Sequence, residues 1–365
     1  PYPAREITVT GTEVTDGERQ AIWDQILGEE QAEAERSHLL DITLWHGEEE
    51  IEPTGSVTVT FSGIDTEGLY PKVYHIDTDA QTATDMEAKT EENGDVTVDT
   101  NHFSLFLVQG QSFQELSGYV GDALSNGGEF QLTDNAWTAD GSNSPNLSIT
   151  RNTTIDLNGH TLTISKSGQY FDVHDGAKLT IMDSQAPQET VTDSGGTVYG
   201  NRASLTDETL TYYITESTPT GTGTMETLKK HEVPLTGAGK ILCGEASEQA
   251  ILVKGALELQ SGVLQNTGGK HIVTVDGGTL NVNGGYIVGG GSNGTPGGGI
   301  YVDNGTLNIS GGAVTGNEVI NGHSDNGGGI YVNSGTLNLS GGYVTNNYTA
   351  CDCNDCQGDV NNTHG

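Results

Sequence analysis

Basic side chains are scarce in this chain. Fourteen Lys and Arg stand against 50 Asp and Glu over 365 residues, a formal net charge of −36. Nucleic acid and anionic membrane surfaces are gripped by clusters of Lys and Arg, so neither is an expected partner. Long apolar runs are lacking as well. No stretch approaches the roughly 20 residues a spanning helix requires, so no membrane insertion is expected within the chain. Hydrophobic residues supply only 33% of the sequence, and Leu and Ala are too few for a helical bundle. Pro1-Tyr2-Pro3 has neither the basic nor the apolar segment of a secretory leader. The sequence reads as a piece of a longer protein, with targeting and anchoring signals outside it.

Glycine, by contrast, is abundant, at 53 residues, and Thr, Val, Ile and Tyr recur with strand periodicity. The expected class is all-β. Charge then divides the chain. Residues 1–110 hold 24 acidic and 5 basic side chains, whereas residues 251–365 hold 8 and 2. Residues 1–110 predict an acidic β-sandwich, with alternating strands at 5–12, 41–45, 56–61, 72–76, 95–98 and 101–108. One short helix is expected from Asp16, with Ile22, Trp23, Ile26 and Leu27 on one face. The acidic run Glu29 to Glu35 reads as a solvated surface. Residues 111–147 are a linker or cap, in which Phe113, Leu116, Tyr119 and Leu124 cover the open end of the next domain.

Residues 148–350 form a repeat array. Gly278-Thr279-Leu280-Asn281-Val282 recurs at Gly305-Thr306-Leu307-Asn308-Ile309 and Gly335-Thr336-Leu337-Asn338-Leu339, at spacings of 27 and 30. Each copy is followed by Gly-Gly and an apolar pair, and Gly-Ile-Tyr-Val strands stand between copies. Short strands and glycine turns at this period predict the coils of a parallel β-helix, expected to be right-handed. Alternation sends Leu280 and Val282 inward and Thr279 and Asn281 outward. Stacked coils build one apolar column, and Asn281, Asn308 and Asn338 are expected to form a hydrogen-bonded ladder. Residues 185–240 interrupt the array as a long loop or hairpin, either a binding surface or a tolerated insertion. Residues 351–365 are a truncated, Cys-containing tail.

His102-Phe103-Ser104 is the sharpest chemical motif. A Ser that follows a scissile carbonyl is able to attack it, converting the Phe103–Ser104 amide to an ester that water then cleaves. The reaction needs a base, for which His102 is adjacent, and a strained peptide bond, which a strand turn in the sandwich is expected to supply. A purely structural strand remains the alternative. The stretch Tyr70 to Val108, with Lys72-Val73-Tyr74-His75-Ile76 and Asp99-Thr100-Asn101-His102-Phe103-Ser104-Leu105-Phe106, resembles the ZU-five-like β-sandwich over about residues 39–108. Some members of that family cleave themselves between Phe and Ser of a His-Phe-Ser motif, and their halves stay associated. The resemblance maps those roles onto His102, Phe103 and Ser104.

The array, over about residues 148–347, resembles the pectate-lyase-like right-handed β-helices of Gram-positive surface proteins. It carries Thr154-Ile155-Asp156-Leu157-Asn158-Gly159-His160-Thr161-Leu162 and the Gly-Gly-Gly-Ile-Tyr-Val repeats. Polysaccharide lyases of that fold need an Arg or Lys base and calcium ligands, and only Lys254 and Lys270 occur after residue 250. Asp276 and Asp303 occupy matching turn positions, one coil or about 4.8 Å apart, as a retaining carboxylate pair, a Ca²⁺ site, or repeated turn caps. Tyr301 and Tyr331 stand one coil apart, as an aromatic strip for sugar rings or as core residues. Cys351, Cys353 and Cys356 form C-x-C-x-x-C, open to a metal site, a disulfide or free thiols. His46, His75, His160, His174, His231, His271 and His323 show no metal-ligand spacing and read as ordinary strand or surface residues. No cofactor is required, Ca²⁺ being the one candidate.

The function expected is that of a monomeric, extracellular or cell-surface adhesin. The β-helix serves as a stalk or ligand-presenting surface toward a glycan or a surface protein, with single self-cleavage at Phe103–Ser104. The alternative is a polysaccharide-degrading enzyme, either a lyase or a glycoside hydrolase.

Overall fold

Strands account for 63% of the chain and helix for 3%, as the alternating Thr, Val and Ile pattern predicts. The computed structural model describes residues 7–14, 22, 26, 37–62, 70–86, 88–90, 95–111, 113–138, 146–164, 169–194, 202–220, 223–243, 249–267, 271–293, 295–320 and 327–349. The helix expected from Asp16 falls mostly outside these residues, as do the acidic run Glu29 to Glu35 and the tail with Cys351, Cys353 and Cys356. Two compact units divide between Phe113 and Gln114.

Among its described residues the first unit contains nine strands: β1 (Ile7–Glu13), β2 (Ser37–His46), β3 (Glu49–Ile51), β4 (Val57–Phe61), β5 (Tyr70–Asp77), β6 (Thr82–Asp85), β7 (Lys89–Thr90), β8 (Val96–Thr100) and β9 (Leu105–Gln111). One antiparallel sheet has the order β1-β2-β9-β5-β6, with β3 on β2. The other is β4-β8-β7. Ile42, Val73, Phe106 and Val108 of the first sheet share a core with Phe61, Val96 and Val98 of the second. The opposite face of β9 carries Leu107, packed with Leu39 and Ile76 in a separate cluster. Both faces of this strand are therefore apolar, which is why Phe106, Leu107 and Val108 are all buried.

The strand expected over 101–108 begins only at Leu105. Asn101 to Ser104 form a bend instead. The Thr100 hydroxyl is the physical reason: it donates to the His102 carbonyl at 2.7 Å and accepts the His102 N–H at 3.2 Å. These local bonds satisfy backbone groups that a ladder would otherwise use. The bend carries the chain from β8 in one sheet to β9 in the other.

The second unit is a parallel β-solenoid of about seven turns. Its inward column is continuous in register. Ile155 stacks under Ile181, then Leu259, Val282, Ile309 and Leu339. Leu179, Leu257, Leu280, Leu307 and Leu337 run beside it. Few hydrophobics suffice because each inward residue is buried between the apolar residues of the coils on either side of it. In the last described coil, Leu337 and Leu339 are 43% and 58% exposed. Gly312 shows why the corners need glycine. Its φ is +68°, and an added Cβ would lie 2.4 Å from the Gly285 carbonyl of the coil below.

The parallel ladder starts earlier than residue 148. Gln114–Tyr119 pairs with Gly128–Trp137, which pairs with Thr153–Asp156. This opening coil lacks the Gly-Thr-Leu-Asn signature, so the sequence pattern does not reveal it. Leu116, Val120 and Leu124 join the solenoid core, the last from the helix Gly121–Asn126, whereas Tyr119 is exposed.

The interruption at 185–240 is a four-stranded antiparallel sheet built on the hairpin Thr209–Thr220 and Gly223–Pro234. It lies against the solenoid. Leu210, Tyr212, Val233 and Leu235 pack on Val263, Val288 and Ala313 of three successive coils. A fourth coil is tied by backbone and side-chain bonds: Tyr213 N–H donates to Asn346 at 2.5 Å, and Thr345 donates to the Tyr213 carbonyl at 3.1 Å.

Candidate functional site

Strand pairing brings together the groups around His102-Phe103-Ser104. β5 and β9 are antiparallel neighbours in which His75 faces Phe106 directly. Ser104 precedes Phe106 by two residues and so lies on the same face, diagonally across from His75. The Ser104 Oγ is 2.9 Å from His75 Nε2. It also lies 3.4 Å from the Ile76 carbonyl, a weaker contact. The Ser104 carbonyl accepts the Ile42 N–H at 2.8 Å, which holds the amine side of the Phe103–Ser104 bond to β2.

The acyl side is held from elsewhere. Glu52, the residue after β3, accepts the Phe103 N–H on Oε2 at 3.0 Å. Its Oε1 lies 2.8 Å from His102 Nδ1. The Phe103 ring is buried in the core between the sheets. His102 stacks edge-on against His75, with ring centroids 5.2 Å apart. A recess of about 310 Å³, lined by Pro53, Ser56, Met86, Asp99 and Asn101 among others, brings solvent up to the segments that follow Glu52 and precede His102.

Electrostatics favour a neutral His75. Burial holds its imidazole below the usual histidine range, and neighbouring His102 pushes the same way. Asp77 and Glu52 oppose this with smaller effects. With the ring proton on Nδ1, Nε2 is free to accept the Ser104 hydroxyl. His102, expected as the adjacent base, touches Glu52, and the imidazole in contact with Ser104 is that of His75. His75, expected to be an ordinary strand residue, belongs to the site. Its parity relative to Ser104 becomes readable once β5 and β9 are paired. Glu52 has no sequence signal. Backbone strain of the left-handed kind is not present at this bond, since the non-glycine residues with positive φ among the described residues are Gln81, Asn158 and Asn346.

The solenoid places its candidate residues in rows. Asp276 aligns with Asn304, across a bulge, and not with Asp303 as the sequence spacing implies. Asp303 Oδ1 accepts from Asn333 at 2.8 Å and Tyr301 at 3.2 Å. The matched carboxylate pair expected from the repeats is therefore offset by the bulge. Tyr301 and Tyr331 do align, with centroids 5.8 Å apart and rings within 5° of parallel. His271 stacks on the other face of the pair's first ring at 5.2 Å. Ring faces turned to one another leave edges and hydroxyls for a ligand, whereas sugar stacking uses the face. The expected asparagine ladder is present: Asn308 donates to Asn281 and Asn338 to Asn308, each at 2.8 Å.

Cys243 is buried in the solenoid core. No group of three or more His, Cys, Asp or Glu able to hold a metal ion occurs among the described residues. No helix among them is long and apolar enough to cross a membrane. No protein family, curated protein or solved structure matches the chain.

Proposed function

We propose that the chain is part of an extracellular or cell-surface binding protein whose N-terminal sandwich cuts itself once, between Phe103 and Ser104. The observation that carries this reading is the 2.9 Å contact of Ser104 Oγ with a desolvated His75. The Ser104 hydroxyl proton passes to His75 Nε2 as Oγ attacks the Phe103 carbonyl carbon. Collapse of the tetrahedral adduct breaks the C–N bond, and the proton returns from His75 to the Ser104 nitrogen. The product is a Phe103–Ser104 ester with a free amine. Water adds to the ester carbonyl and the C–O bond breaks, leaving a Phe103 carboxylate and an intact Ser104. The ZU-five-like resemblance points to the same bond.

After such a cut the two pieces remain interlocked, because β9 lies between β2 and β5. The solenoid suits a stalk or a display surface: one sheet face is covered by the 185–240 hairpin, and its ladders repeat from coil to coil. A glycan or a surface protein remains the proposed partner class.

Intact mass of freshly purified protein under denaturing conditions tests the cut. Masses for residues 1–103 and 104–365 are expected, with a single uncut mass for Ser104→Ala. One uncut mass in the parent chain, or cutting at the same bond in Ser104→Ala, overturns the mechanism.

A further inference from the structure

We propose that Glu52 is the positioning residue of this cleavage, a single carboxylate that fixes the acyl side of the bond for attack. The proposal rests on the self-cleavage put forward above.

An acyl shift between adjacent residues is limited by orientation. The Ser104 oxygen must approach the preceding carbonyl carbon out of the amide plane, and a freely turning Phe103 rarely presents it. The amine side is set by the β-ladder, through Ser104 to Ile42 and through Leu105 onward. The acyl side has left β8 and has not entered β9, so no ladder holds it. Glu52 supplies what the ladder does not. Its two oxygens take the Phe103 N–H and the His102 ring at once, at 3.0 and 2.8 Å. Fixing the N–H and the neighbouring side chain leaves the Phe103 carbonyl little freedom to turn. Thr100 holds the residue before it, through both backbone groups of His102. Glu52 reaches this position from the end of β3, whose pairing with β2 sets it in the same sheet as β9.

The tether is poorly suited to a stabilising role. Glu52 and His102 are both about half exposed, and an exposed pair of this kind contributes little to folding. Its removal should leave the fold intact while the bond loses alignment.

The test uses the full chain in two backgrounds. In the first, Ser104→Ala prevents cutting, and ¹⁵N-phenylalanine gives a spectrum of six backbone amides, since the sequence has six Phe. Adding Glu52→Ala is expected to accelerate exchange of the Phe103 amide by about tenfold or more, while the Phe106 amide in β9 is unchanged. In the second, with Ser104 present, Glu52→Ala is expected to slow cleavage by about 100-fold. Glu52→Gln keeps an oxygen for the Phe103 N–H and should restore the rate to within about threefold of the parent. Unchanged Phe103 exchange overturns the tether. Faster exchange with an undiminished cleavage rate overturns the positioning role alone. Loss of the Phe106 protection as well shows general loosening and also overturns it. A parent chain that stays whole overturns the self-cleavage and the role of Glu52 together, an outcome distinct from the others.

Discussion

The sandwich and the solenoid use β-strands in opposite ways. In the later coils of the solenoid, many side chains meet a copy of themselves: Leu307 lies on Leu280, Asn308 on Asn281, Tyr331 on Tyr301. In the sandwich, residues distant in sequence and different in kind converge, as Glu52, His75 and Ser104 do at one peptide bond. Repetition is efficient at building a core from few hydrophobics. It is poor at assembling unlike groups, because stacking in register places like beside like. A bulge is then enough to separate the one carboxylate pair that the repeat spacing implies, Asp276 and Asp303. Candidate chemistry therefore gathers in the smaller, non-repeating unit.

The comparison is broken most severely at His75. His75→Ala should slow cleavage by about 10²–10⁴-fold, the usual worth of a positioned base. His102→Ala should slow it less, since His102 acts through Glu52. Denaturing electrophoresis against time checks both, and a larger loss at His102 would return the base to the motif itself. In the solenoid the matching experiment is structural. Leu307→Ala removes a side chain packed between two coils and should cost about 2–5 kcal/mol. Leu339→Ala, in the last described coil, should cost less than about 1 kcal/mol. Chemical denaturation followed by a solenoid-specific probe compares them. Equal costs would mean that this coil is covered.

Acidity separates the units more gently. His75 must be neutral to accept a proton, and burial holds its imidazole below the ordinary histidine value of 6.5. The cleavage rate should stay level from about pH 8 to 6.5 and fall only at lower pH. The sign for stability is the same: the unfolded chain binds the proton more readily, so the sandwich loses stability as pH drops below 6.5 toward the folded value. A rate that already declines between pH 8 and 7 would contradict a desolvated base. The smallest effect belongs to the asparagine ladder. Asn308→Ala removes two side-chain hydrogen bonds, one part-buried and one exposed, and should cost about 1 kcal/mol by the same denaturation.

Legibility followed the same division. Leu280, Leu307 and Leu337 announce the solenoid because the pattern is stated three times over. The Asn ladder follows from register alone. The opening coil escapes because Gly128-Glu129-Phe130 stands where a later strand carries Leu280-Asn281-Val282. Buried Asn317 and Asn347 escape as well: they bond to one another at 3.0 Å inside a turn that the sequence presents as polar and exposed. At the candidate site, Ser104 is readable as a nucleophile from its neighbours. His75 and Glu52 are not, because one depends on which strand pairs with β9 and the other on where a three-residue strand ends. Local chemistry is written locally, and partners across a sheet are not.

The ester is the species that distinguishes this account from ordinary proteolysis. Freshly refolded parent chain should be held in hydroxylamine and its fragments weighed under denaturing conditions. The account expects residues 1–103 to end in a hydroxamate at Phe103 and residues 104–365 to begin with an unmodified Ser104. Uncut chain, or a fragment 1–103 that ends only in a carboxylate however much hydroxylamine is present, would contradict attack by Ser104.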